Sequence, residues 1–293
     1  MSEHVSQEEA VLAVDLGGTR LRVAVFDGSG SILLRSVIPT PLGDPGALAK
    51  AMRQAASESP LPVRCAVVGV AGPISYRDGE AVNLPNLPGW APYVSARRLE
   101  AETSLDVMLA NDADLAALGE HRFGAGRGVS DLVYVTSSTG VGAGVVIGGR
   151  LLHGRWSLAE AGHMIIDRRT RETVEDLGSG KAIERLSGLR GEVVTARAQS
   201  GDAEALRVIR DVAEVLGIAV HNLVHCFMPE RVVIGGGVSQ AGEFLLAPLR
   251  AELDGCDKGC SIRGDGVVLA ESGDDAGLLG AYAFWQDTRA DSR

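Results

Sequence analysis

A chain of 293 residues with 45% hydrophobic content is long enough to bury a sizeable core and to divide into two lobes, which excludes a disordered chain. Its net charge of −10 and pI near 5.1 exclude a protein whose main work is gripping phosphate backbones, since that needs a clustered basic face. No apolar run approaches the roughly 18 residues that span a bilayer, and MSEHVSQEEA carries acids where a signal peptide is basic, so a cytoplasmic protein with no membrane role is expected.

Apolar runs bounded by glycine or aspartate predict strands at 11–16, 21–26, 31–38, 63–70, 106–110, 131–137, 141–147, 231–235 and 266–270. Helical patterns fall between them. Asp44-Pro45 reads as an N-cap followed by proline at the first helical position, opening a helix that runs to about Ser57. Further helices are predicted at 95–103, 112–123, 172–187, 202–227, 239–253 and 275–286. Strands alternating with helices imply an α/β protein with helices covering a mixed sheet.

One pattern occurs twice. VLAVDLGGTRLRVAVFDGSGSILLR, from residue 11, and LVYVTSSTGVGAGVVIGGRLLHG, from residue 132, both read as strand, small-residue turn, strand, glycine turn, strand. Two lobes of one design follow from that echo, and no low-complexity linker separates them. Of the four cysteines, Cys65 in VRCAVVGV and Cys226 in a helical stretch read as buried small residues. Cys256 and Cys260 form a C-x3-C pair with no second pair nearby, a weak zinc signal.

Chemistry concentrates in the turns. In DLGGT, Gly17 and Gly18 let the backbone approach a bound group and accept positive φ, while Thr19 can donate to phosphate oxygens. Asp15 cannot donate at neutral pH, and an acid beside phosphate makes sense when Mg²⁺ sits between them. The alternative is a hairpin turn that uses Asp and Gly for conformation alone. TSSTGVGAG at 136–144 is a second hydroxyl- and glycine-rich turn, and VVIGGGVSQAGEF at 232–244 a third glycine cluster, fit for a base to approach or simply a tight strand-to-helix turn. None is a Walker loop.

In LANDADLAALGE, a strand ends at Ala110 and Asn111-Asp112 open a helix. Capping explains one of these residues and has no need of two. Asp112 is placed to accept a hydroxyl proton and Asn111 to act as a bidentate hydrogen bonder. In SLAEAGHMIID, Glu160 and His163 are three apart and face one way on a helical turn, suiting sugar hydroxyls or a metal. His221 and His225 in HNLVH lack the glutamate of a zinc protease and read as packing or interface residues.

As a set, these residues resemble the ROK family of sugar kinases, within the two-lobed actin-like ATPase fold. The resemblance runs over nearly the whole chain: DLGGT, AGPIS at 71–75, NLPNLPGW at 83–90, NDADLAALGE, STGVGAG, EAGH, VVIGGG and GDDAGLLGA at 273–281, in the family's order. It implies a smaller N-terminal lobe over 1–116, with a C-terminal helix of about 276–293 packing back on it, a larger lobe over 117–275, and a cleft between them. The implied activity is phosphoryl transfer from ATP, with Mg²⁺, to a hexose hydroxyl, most simply C6 of glucose. Mannose, fructose and the N-acetylhexosamines are alternative substrates. Carried over residue by residue, Asp112 is similar to the family's catalytic base, and Asn111, Glu160, His163 and Glu175 to its sugar ligands. Gly72 and Asn86 are similar to the near wall of the sugar pocket. Asp15, Gly17, Gly18, Thr19, Thr139 and Gly140 would surround Mg²⁺ and phosphates, with Asp15 holding the metal through water. Gly236 and Gly237 would lie close to the nucleoside.

Two departures stand out. Relatives carry a CxCGxxGCxE zinc site after EAGH, whereas this chain has DRRTRETVED, so structural zinc is expected to be absent and the loop held by packing and by ion pairs among Arg168, Arg169, Arg171 and nearby acids. Ser138 stands where relatives have the first glycine of GTG, which leaves the phosphoryl donor open, polyphosphate included. A homodimer is implied. With about ten residues before the first strand, the helix-turn-helix of the family's repressors has no room, so no nucleic-acid partner is expected. A non-catalytic sugar sensor and a sugar-independent ATPase are the competing readings.

Overall fold

The computed structural model describes residues 9–157, 160–254, 262 and 264–291; Cys256 and Cys260 lie outside the described residues. In chain order the elements begin with β1 (Ala10–Leu16), β2 (Arg20–Asp27), β3 (Ile32–Pro39), α1 (Gly46–Glu58), β4 (Val63–Val70), β5 (Ile74–Ser75), β6 (Glu80–Ala81), α2 (Ala96–Thr103), β7 (Asp106–Asn111) and α3 (Asp112–Phe123). They continue with β8 (Leu132–Ser137), β9 (Val141–Ile147), β10 (Arg150–Leu151), α4 (Val174–Gly178), α5 (Gly180–Ser187), α6 (Gly191–Gln199) and α7 (Ala203–Phe227). The last are β11 (Arg231–Gly235), α8 (Glu243–Asp254), β12 (Val267–Leu269) and α9 (Ala276–Asp291).

The described residues divide into two units. One runs to Gly119, takes in His153–Ser157 and resumes at Asp274; the other comprises Glu120–Leu152 and the described part of 158–273. The division therefore falls within α3.

The sheets of the two units repeat one topology. In the first unit the order is β3-β2-β1-β4-β7, in the second β10-β9-β8-β11-β12. In each, an antiparallel meander is extended from its first strand by two parallel strands. The sequence echo is thus the meander of each sheet.

In the first unit β1 is buried on both faces, which is why VLAV reads as a continuous apolar run without alternation. Leu12, Val14 and Leu16 pack with Leu48 and Met52 of α1 and with Trp90. Val11 and Ala13 pack on the other face with Leu115 of α3 and Leu278, Ala281 and Trp285 of α9. In NLPNLPGW, Leu84, Leu87 and Trp90 recur every third residue and are all buried, and the Trp90 indole donates to the Leu42 carbonyl at 2.9 Å. The second unit is organised around α7, whose Val208, Val212, Leu216, Val220 and Leu223 lie buried at three- and four-residue spacing with the β8 and β11 valines. Each such residue contributes about 1.5–3 kcal/mol on burial.

Several expectations are corrected. Pro45 itself is the N-cap of α1, in helical conformation and without a side-chain cap bond, so Asp44 does not cap. The helix predicted over 172–187 breaks at Ser179, whose side chain caps α5. The one predicted over 239–253 is a 3-10 turn at Gly237–Ala241 followed by α8, with Gly242 at positive φ between them. α6 was not foreseen, nor were β5 and β6, which are too short to carry a period; β10 is the third strand of the second echo. Cys226 is exposed and Cys65 half-buried, because Cys226 falls outside the buried stripe of α7. No helix among the described residues is long and apolar enough to cross a membrane.

Candidate active site

In the first unit, the acid of DLGGT is the penultimate residue of β1, directly opposite Arg22 of β2. Arg22 donates to Asp15 Oδ2 at 2.9 Å and reaches Asp274 at 3.5 Å, and Arg20 also lies 3.5 Å from Asp274. Burial pushes the Asp15 carboxyl above its usual range, and the bonded Arg22 guanidinium opposes that rise. The turn beyond is tied by Gly17 N–H donating to the Arg20 carbonyl (3.0 Å) and by the Thr40 hydroxyl donating to the Gly17 carbonyl (2.7 Å). Neither Gly17 nor Gly18 takes a positive φ, contrary to expectation. The need for glycine is steric: a Cβ at Gly18 would lie 2.8 Å from Asn86 Cβ, so this turn and the NLPNLPGW loop touch. Thr19 and Asn86 are exposed.

The strand-to-helix turn from β7 into α3 settles which of the Asn111-Asp112 pair is the cap. Asn111, 8% exposed, accepts the N–H groups of Ala113 (2.9 Å) and Asp114 (3.1 Å) through Oδ1, and donates from Nδ2 to the Gly72 carbonyl (3.1 Å). Its amide oxygen is therefore spent on the helix, and the expected bidentate ligand has only its second Nδ2 hydrogen to offer. Asp112, the first residue of α3, is half-buried, and its Oδ1 accepts the Ala113 N–H at 2.9 Å.

In the second unit, Ser138, Thr139 and Gly140 turn tightly between β8 and β9, with Ser138 N–H donating to the Gly140 carbonyl (2.8 Å). The Gly180 N–H, at the start of α5, donates to the Ser138 carbonyl (2.7 Å), which sets the positive end of that helix beside the turn. Glu175 of α4 lies on the other side: its Oε2 accepts the Val141 N–H at 3.0 Å, and a Cβ at Gly140 would overlap that oxygen. A residue expected at the sugar is thus packed against the turn expected at the phosphates. Gly236, at φ +84, caps the 3-10 turn after β11, and a Cβ there would overlap the Ser137 carbonyl; beside Gly237 there is open space. Glu160 is the N-cap residue of a single 3-10 turn, Ala161–His163, and both Glu160 and His163 are exposed.

The loop after EAGH is packed as expected, with Met164 and Ile166 against the core of the second unit, but the expected ion pairs are not formed. The side chains of Arg168, Arg169 and Arg171 make no ion pair among the described residues. Asp167 Oδ1 instead accepts the N–H groups of Arg169 (2.6 Å) and Thr170 (3.2 Å), a Thr173/Asp176 capping box closes α4, and Arg185 reaches Glu172 at 3.9 Å. Among the described residues no group of three or more His, Cys, Asp or Glu is arranged for a metal ion. Magnesium makes a smaller demand, since it keeps most of its waters and takes one or two carboxylates plus phosphate oxygens. Asp15, one carboxylate at the end of β1 beside the 17–19 turn with Oδ2 bonded to Arg22, can supply one such oxygen ligand.

A model of the ROK family matches residues 11–288. A glucokinase from Halalkalibacterium halodurans is 32% identical, over 92% of this chain and 92% of that protein. An N-acetylmannosamine kinase from Escherichia fergusonii is 35% identical, over 94% of this chain and 98% of that protein. The crystal structure of a ROK family glucokinase from Streptomyces griseus, in complex with glucose and AMPPNP, matches with a TM-score of 0.80 at 29% identity, covering 93% of this chain and 97% of that one. The duplicated sheet topology is that of the two-lobed actin-like ATPase fold. With the family model spanning all but the ends of the sequence and its motifs lying at strand ends and turns in both units, the chain belongs to the ROK family.

Proposed function

We propose that this chain transfers the γ-phosphoryl group of ATP to the C6 hydroxyl of glucose or a closely related hexose, with Asp112 as general base. The coarser statement, that it is a sugar kinase, follows from kinase relatives at 32% and 35% identity over 92% and 94% of its length. ATP use is in keeping with the AMPPNP complex of the Streptomyces griseus glucokinase. The observation that carries the base assignment is the pattern of bonds at the start of α3: Asn111 Oδ1 accepts the N–H groups of both Ala113 and Asp114, while Asp112 Oδ1 shares one of these two, the Ala113 N–H.

In this reading the second Nδ2 hydrogen of Asn111, with Glu160, His163 and Glu175, fixes the sugar ring, and Gly72 and Asn86 form the near wall. The turns at Gly17–Thr19 and Thr139–Gly140 donate to the phosphates, and Gly236 and Gly237 lie along the nucleoside. Asp15 would hold Mg²⁺ through water, and the ion when bound would supply positive charge beside the phosphates. As the C6 oxygen bonds to phosphorus and the bond to ADP breaks, the hydroxyl proton passes to the Asp112 carboxylate. Positioning and charge stabilisation supply most of the acceleration.

The test is a coupled ADP-release assay on glucose, mannose, fructose, N-acetylglucosamine and N-acetylmannosamine, with wild-type protein and Asp112→Asn. Glucose should turn over best, and Asp112→Asn should lower turnover at least about a hundredfold while hexose affinity stays within a few fold. Retained turnover removes Asp112 from the role. The 35% identical N-acetylmannosamine kinase favours one second reading, the N-acetylated acceptor, which the same panel separates.

A further inference from the structure

The residue proposed as general base stands at the middle of a turn that a half-buried tyrosine closes from the side. Tyr76 follows β5 directly, and its hydroxyl makes two bonds, donating to Asp114 Oδ2 at 2.7 Å and accepting the main-chain N–H of Asn111 at 3.3 Å. Residue 111 ends β7 and residue 114 lies in the first turn of α3. One hydroxyl thus bridges the strand end and the helix start, with Asp112 between the two points it holds. The Asn111 side chain makes a second loop over the same span by capping Ala113 and Asp114.

The anchor is rigid. Asp114 is 0% exposed, so the Tyr76–Asp114 bond forms away from competing water, where a hydrogen bond to a carboxylate is among the stronger kinds. Burial first, and the Asp114 charge second, hold the Tyr76 hydroxyl well above its ordinary range, which keeps it a proton donor across the working pH range of an enzyme. The ring is fixed too: His153 stacks on it at 4.3 Å and 27°, and the Phe284 ring lies 6.3 Å away. The Tyr76 N–H donates to the Arg155 carbonyl at 2.9 Å, so the segment bearing His153 is hydrogen-bonded to the tyrosine it stacks on. All of these groups belong to the first unit.

We infer that Tyr76 is a positioning residue for phosphoryl transfer: through Asn111 and Asp114 it sets the strand-to-helix turn that aims the Asp112 carboxylate at the acceptor hydroxyl. The inference rests on Asp112 being the base. It assigns Tyr76 no contact with sugar or nucleotide. A displacement of about 1 Å at a reacting group is enough to cost up to a hundredfold in rate, and one freed turn of helix is a displacement of that order.

A double-mutant cycle tests it, with kcat read for wild type, Tyr76→Phe, Asp112→Asn and the double variant, and thermal midpoints read alongside. Tyr76→Phe should lower kcat about tenfold with the KM for ATP within about twofold, since the turns assigned to the nucleotide are not touched. In the Asp112→Asn background the same change should cost less than about twofold, because a residue that acts only by aiming the base has nothing left to aim. A Tyr76→Phe protein with kcat within twofold of wild type, or losses that multiply in the double variant, overturns the inference. Should Tyr76→Phe not fold, His153→Ala loosens the ring from its exposed face and must give a smaller loss with the same non-additivity; an unchanged kcat refutes it. The two failures are distinct: full turnover by Asp112→Asn removes the base and its anchor together, whereas an inactive Asp112→Asn beside multiplying losses removes the anchor alone.

Discussion

Glu120 is the buried acid on which stability is expected to depend most. It lies in α3, 0% exposed, and accepts three main-chain N–H groups: Ser272 (2.7 Å) on Oε1, and Ala125 (2.8 Å) and Glu271 (3.2 Å) on Oε2. Gly124 runs so close that a Cβ there would strike the same carboxylate. Glu120→Gln keeps the shape and turns one of the two acceptors into a donor facing at least one N–H, a loss of about 1–3 kcal/mol. Glu120→Ala strands all three donors and opens a cavity, for which about 3–5 kcal/mol is expected after partial rehydration. At about 2 °C per kcal/mol for a chain of this size, the midpoint should fall by roughly 2–6 °C for Gln and roughly 6–10 °C for Ala. Differential scanning calorimetry at neutral pH measures both, with hexose KM as the control that the folded protein is unaltered. A Glu120→Ala midpoint within about 2 °C of wild type would refute the claim that these bonds hold the 124–125 and 271–272 loops.

Two further outcomes follow from other contacts. Gly140→Ala would drive a Cβ into the Glu175 carboxylate and break its bond to the Val141 N–H; if that contact links sugar and phosphate recognition, steady-state kinetics should give KM values for hexose and ATP that both rise, by about tenfold or more. A rise in only one would separate the two sites. Asp27 accepts from the Ser29 hydroxyl (2.6 Å) and from the N–H groups of Ser29 (2.8 Å) and Ser31 (2.9 Å), and these bonds, the hydroxyl first, hold its carboxyl below the usual range. A lowered folded value means the stabilisation is complete above the unfolded value, near 3.9, and is lost as pH falls through the folded one. The midpoint gap between wild type and Asp27→Asn should therefore be about 1–3 °C at pH 7 and shrink as the carboxylate is protonated in acid; a gap that widens on acidification contradicts the assignment.

The sheets were the most legible part of the molecule because burial and period coincide there. β1, β4 and β8 are apolar runs between glycines and acids, and their predicted bounds differ from the observed ones by a residue at most. Elements of two residues leave no period to read, and β5 and β6 escaped for that reason, whereas β10, equally short, was legible only through the echo of the first meander. α6 is different: GEVVTARAQ buries only Val194, Thr195 and Ala198, a stripe too thin to stand out from its neighbours. The break at Ser179 carried a signal that was there to be used, since Ser followed by Gly inside a helical pattern is an N-cap followed by a point of close approach. Its consequence is functional, because the second helix then starts beside the Ser138–Gly140 turn.

At the candidate site, residue types were readable and contacts were not. The glycines of DLGGT suggested a special conformation; what they provide is space, with Gly18 against Asn86, a residue 68 positions away that no local pattern connects to it. Asn111 and Asp112 were one motif in the sequence; in the structure Asn111 Oδ1 accepts two helix amides and Asp112 Oδ1 shares one of them, a difference that no spacing shows. Tyr76 gave no signal at all, because a tyrosine in PISYRDG is unremarkable until its hydroxyl is seen to span β7 and α3. A hairpin serving conformation alone has no reason to bury a carboxylate whose desolvation outweighs even a bonded arginine, as it does at Asp15. Unfavourable burial of that kind is a physical ground for a functional role, and it is the ground on which Asp15 is proposed as the acid that would hold the metal.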